Sequence, residues 1–91
     1  MSHKHARILT EVFRDPVQGN IHWRDVQSLL QNLGAEISFT RGARLHVSLN
    51  GRDGVVHRPH HSGVCAKQEV RHLRQYLASA GVTPAYYKGK H

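Results

Sequence analysis

Nine histidines and 13 lysines and arginines share a chain of 91 residues with only six carboxylates, a formal balance of +7 with the histidines neutral. Imidazole is the commonest general acid or base, and guanidinium binds phosphate in a bidentate fork. In the run R-L-H-V-S-L, Arg44 and His46 stand two residues apart, so in a strand both lie on its polar face. Cleaving RNA without a metal needs a base for the 2′-hydroxyl proton, an acid for the leaving 5′-oxygen and a cation on the phosphate. Arg44 fits the phosphate clamp, and His46 with His57 and His60 fits the proton-handling set. The competing reading of His46 is an ordinary surface histidine on a solvated strand. Expected RNA contacts are Arg41, Arg44, His46, Arg58, His61 and the basic stripe Lys67, Arg71 and Arg74, which equally describes a solvated helix face.

Other chemistry is weaker. His57, His60, His61 and Cys65 form a scatter of zinc-ligand types, but such spacing arises by chance among nine histidines, so neither a metal nor any other cofactor is expected. A lone Cys65 between Val64 and Ala66 reads as a small packing residue rather than a nucleophile. Trp23 reads as packing against Phe13 or a loop before it reads as a stacking platform. Tyr86 and Tyr87 lie in a basic tail over 85–91.

A positive field on so short a chain suits phosphates or an acidic protein surface. No stretch is a basic amphipathic helix with bulky apolar residues opposite, no apolar run approaches a membrane span, and the first residues lack a signal-peptide core. One cysteine excludes an internal disulfide framework, which fits a reducing cytoplasm.

The elements that must position these side chains follow from hydrophobic spacing. A short helix is expected over 3–13, closed by Asp15-Pro16 because the residue before proline avoids helical angles. Val26, Leu29, Leu30 and Leu33 predict a helix over 22–33, with Asn20 as a nearby cap and Gly34 after its end. Three strands follow: 35–40, then 44–49 with Leu45, Val47 and Leu49 inward, then 55–58 stopped by Pro59, with Asn50-Gly51 as a hairpin turn. Val70, Leu73 and Leu77 predict a last helix over 66–80, with Gly81 beyond it. The class is α+β, a three-stranded antiparallel meander with two main helices on one face, in the order (α)-α-β-β-β-α. That is the order of the double-stranded RNA-binding fold, and residues 1–84 form one domain.

The run V-Q-S-L-L-Q-N-L-G from Val26 to Gly34, then Arg41-Gly42, the strand pair, Pro59-His60-His61, and L-R-Q-Y-L-A-S-A-G-V from Leu73 to Val82 resemble the HicA toxins of bacterial toxin–antitoxin pairs. The resemblance covers about 22–82 and leaves the first helix outside its core. It implies a double-stranded RNA-binding-like fold, mRNA binding and cleavage, and neutralisation by an acidic HicB-like antitoxin. Family members read G-S-H at the start of the second strand, and that histidine is the presumed catalytic residue. Here the triplet is Gly42-Ala43-Arg44, and a guanidinium cannot act as a base. The resemblance therefore supports RNA contact more directly than cleavage.

Overall fold

A computed structural model describes residues 3–40, 42, 44–59 and 63–85. In chain order the elements are α1 (His3–Val12), β1 (Ile21–His22), α2 (Trp23–Asn32), β2 (Glu36–Phe39), β3 (Arg44–Leu49), β4 (Arg52–His57), β5 (Val64–Cys65) and α3 (Lys67–Ser79). The molecule is α+β. Strands β2, β3 and β4 form an antiparallel meander with β3 at its centre, and β1 pairs with β5 in a separate two-stranded ribbon. No helix among the described residues is long and apolar enough to cross a membrane.

Both predicted helices end as their glycines require. The N–H of Gly34 donates to Gln31 and that of Ala35 to Leu30, at 3.1 and 3.0 Å; Gly81 and Val82 repeat the pattern on Ala78 and Leu77, at 3.0 and 2.8 Å. The left-handed angle at each glycine (φ 87° and 80°) turns the chain back over the last helical turn. At the start of α3, the Glu69 carboxylate accepts the Ala66 N–H at 2.8 Å. Alanine offers no side-chain acceptor in return, so only half of a capping box forms.

The sheet's inner face carries Leu45, Val47, Leu49 and Val56, all buried, and they join one cluster with Val26, Leu29 and Leu30 of α2 and Val70, Leu73, Tyr76 and Leu77 of α3. Ile8, Leu9 and Val12 of α1 are also fully enclosed. This corrects the expectation of two main helices: α1 packs on both α2 and α3 and completes the core. His5 and Ser28 are bonded at 2.8 Å across the α1–α2 seam, with Lys4 and Asp25 paired beside them.

Two local expectations change. β4 begins at Arg52, so the Asn50-Gly51 turn is the tight two-residue type and Arg52-Asp53-Gly54 is strand rather than loop. Asn20 does not cap α2. The cap position is His22, whose backbone is extended, and the Trp23 N–H donates to the Gly63 carbonyl at 2.7 Å instead. The β1–β5 ribbon causes this, because it holds Ile21 and His22 in strand geometry up to the first helical residue. Phe39 shares its face with the buried Leu45 yet stays 63% exposed, because it ends the edge strand β2 beyond the packed helices.

Candidate nucleic-acid interface

Alternation puts Arg44, His46 and Ser48 on the outer face of β3, since Leu45, Val47 and Leu49 are buried. The register then sorts that face into three cross-strand rows. The first is Glu36, Ser48 and Asp53; the second is Ser38, His46 and Val55; the third pairs Arg44 directly with His57. Thr40 flanks the third row, its backbone N–H and hydroxyl both donating to the Arg44 carbonyl, at 3.2 and 2.8 Å. Rows two residues apart are separated by about 6.6 Å along the strands. Charge is therefore segregated: two carboxylates at one end, a guanidinium and an imidazole at the other.

A second imidazole reaches the cationic end from another element. The rings of His57 and His72 of α3 meet edge to face, with centroids 6.2 Å apart and planes at 89°. His72 was not among the residues expected from sequence. It lies with Gln68 and Gln75 on a polar stripe at i, i+4, i+7, a helical signal that marks a flank of α3 but not what stands beside it.

The structure divides the remaining expected contacts. Arg44, His46 and His57 are brought onto one surface, with Arg58 exposed just past the end of β4. Lys67, Arg71 and Arg74 lie on the opposite flank of α3 from His72, because five residues advance a helix by about 140°. Arg74 is held there by structure: its Nε donates to the Val12 carbonyl at 3.0 Å and its second terminal nitrogen to that of Arg14 at 2.6 Å. These are carbonyls at the end of α1 that lack helical partners. Lys67 lies against Gly19, where an added Cβ would stand 2.9 Å from the lysine Cγ. Arg41, His60, His61 and the tail pair Tyr86 and Tyr87 fall outside the described residues.

Cys65 is buried, and its thiol is pushed up to about 11, first by burial and then by the charge of Glu69. Such a thiol is a poor nucleophile and a poor metal ligand. No cluster of three or more metal-binding side chains occurs among the described residues. Trp23 is buried within the core, so its ring is not an open stacking platform.

No family model, no curated protein and no solved structure matches the chain.

Proposed function

We propose that this chain is an RNA-binding domain of double-stranded RNA-binding-like fold, the HicA-like toxin component of a bacterial type II toxin–antitoxin pair, which contacts mRNA through the cationic end of its sheet. The observation that carries this reading is the direct cross-strand opposition of Arg44 and His57, with His46 on the same face and His72 beside it. A guanidinium among imidazoles offers fixed positive charge and hydrogen-bond donors to a phosphodiester.

The same patch meets the needs of metal-free cleavage. Diagonal cross-strand neighbours such as His46 and His57 lie roughly 7–8 Å apart. In this reading Arg44 holds the phosphate and one imidazole takes the 2′-hydroxyl proton. The 2′-oxygen attacks phosphorus, the bond to the 5′-oxygen breaks, and the other imidazole protonates that oxygen. A cyclic phosphate and a free 5′-hydroxyl result. The arginine at the family's histidine position leaves the cleavage role to His46 and His57, while RNA binding needs no proton transfer at all.

The test uses metal-free protein and labelled RNA in excess chelator. Binding that weakens with salt supports the interface, and products ending in cyclic phosphate, absent with His46→Ala, support cleavage. Binding without cleavage leaves a non-catalytic RNA-binding module. No binding in dilute buffer overturns the proposal.

A second reading, an interaction protein for an acidic HicB-like antitoxin, is favoured by Phe39. This large apolar side chain is 63% exposed on β2, one of the two edge strands of the three-stranded sheet. Edge strands of this kind accept a partner's strand.

A further inference from the structure

We infer, resting on the RNA-binding reading, that the outer face of the sheet holds one unpaired nucleotide lengthwise and that the base it selects is guanine. The three rows form a graded surface. The Arg44–His57 row is cationic, the His46–Val55 row joins an imidazole to an apolar side chain that is 40% exposed, and the Glu36–Ser48–Asp53 row carries two carboxylates around a hydroxyl. The first and third rows are about 13 Å apart, four residues of strand, which is the scale of a single nucleotide from phosphate to base edge.

Each row matches one part of that nucleotide. The phosphate belongs on Arg44 and His57, where the charge is positive. The base belongs over His46 and Val55, where a planar ring stacks on imidazole and covers exposed hydrocarbon. Its far edge then meets Asp53, Ser48 and Glu36. Neither carboxylate forms an ion pair among the described residues, so both offer only acceptors to that edge. The acidic row also repels phosphate, which fixes the direction in which the nucleotide lies.

A carboxylate has two acceptor oxygens side by side, so its best complement is two adjacent N–H donors. Guanine alone among the four bases presents this pair, at N1 and the exocyclic amine. Cytosine and adenine place a ring acceptor next to their amine, and uracil flanks its single N–H with two carbonyls. Each would leave a carboxylate oxygen facing a lone pair. A duplex is excluded by the same geometry, because its base edges are already paired and its deep major groove does not admit a sheet face.

The experiment measures fluorescence anisotropy of the full chain, in chelator and low salt, with labelled uridine hexamers whose central residue is G, A, C or U, and with a G-containing duplex as competitor. Expected is a preference for the G hexamer of about fivefold or more, the least discrimination a bidentate contact supplies. Asp53→Asn or Glu36→Gln reduces that preference while the all-uridine hexamer binds at least as tightly as to the parent, because a repelling carboxylate is gone, and Arg44→Ala weakens all four alike. Thermal melts of the variants confirm that these exposed positions leave the fold intact. Equal binding of the four hexamers, effective competition by the duplex, or a G preference untouched in both carboxylate variants overturns the inference while leaving RNA binding standing. Failure of every oligomer to bind overturns the RNA-binding reading itself.

Discussion

The ring of Tyr76 fills the space that a side chain at position 54 would occupy: a Cβ added to Gly54 would stand 2.5 Å from Tyr76 Cδ1. Gly54 faces inward opposite Val47, so its missing side chain is what lets α3 settle onto β4. The Tyr76 hydroxyl lies 2.9 Å from the Arg52 carbonyl and 3.3 Å from that of Val47, and its one proton serves the nearer. Gly54→Ala is expected to lower stability by about 1–3 kcal/mol through overpacking. Tyr76→Phe keeps the packing and gives up about 1 kcal/mol with the hydrogen bond. Urea unfolding of the two variants checks the order, and an unaffected Gly54→Ala protein would contradict this account of how α3 meets β4.

Arg74 joins α3 to the end of α1 through two carbonyls. Arg74→Ala is expected to cost about 1–2 kcal/mol, since hydrogen bonds from a charged donor exceed neutral ones but this pair is partly open to water. Amide hydrogen exchange should speed up in α1 well before it does in β3. Arg74→Lys should rescue little, because an ammonium lacks the planar fork that reaches both oxygens.

Alkaline pH should weaken the fold through Cys65. Its thiol ordinarily ionises near 9.0 and is raised to about 11 in the folded chain. Both states are protonated below pH 9, so the contribution is complete there. From pH 9 towards 11 only the unfolded thiol ionises, and stability falls as pH rises. Tyr76, raised mainly by burial and then by Asp53, adds to the loss in the same direction. Unfolding curves at pH 8 and 10 should therefore converge in Cys65→Ala more than in the parent. A thiol reagent at pH 8 should label the native chain slowly and the denatured chain at once.

The cationic end of the sheet and the basic flank of α3 make distinct predictions for RNA binding. Replacing Arg44 and His57 by alanine should weaken binding to all sequences and make the salt dependence shallower by about one unit for each phosphate no longer neutralised. Replacing Lys67 and Arg71 should change it less, because they lie on the flank away from His72. A larger effect from the second pair would move the interface to the α1–α3 side.

Much of this fold was legible because local rules and global packing agree. Val26, Leu29, Leu30 and Gly34 wrote both the face and the end of α2, and alternation through Leu45, Val47 and Leu49 separated the two sides of β3 over the range observed. The role of α1 was not legible, since a ten-residue amphipathic helix looks alike whether it decorates a core or closes it. The β1–β5 ribbon was hidden because two residues carry no periodicity.

For the candidate site, composition and spacing alone determined that a basic, histidine-rich chain sets Arg44 and His46 on one polar strand face. Only tertiary structure decided that His57 stands opposite Arg44, that His72 joins it from α3, and that Arg74 is turned away to bind the end of α1. Register and helix docking link residues distant along the chain, and no local pattern encodes which polar side chains those links bring together.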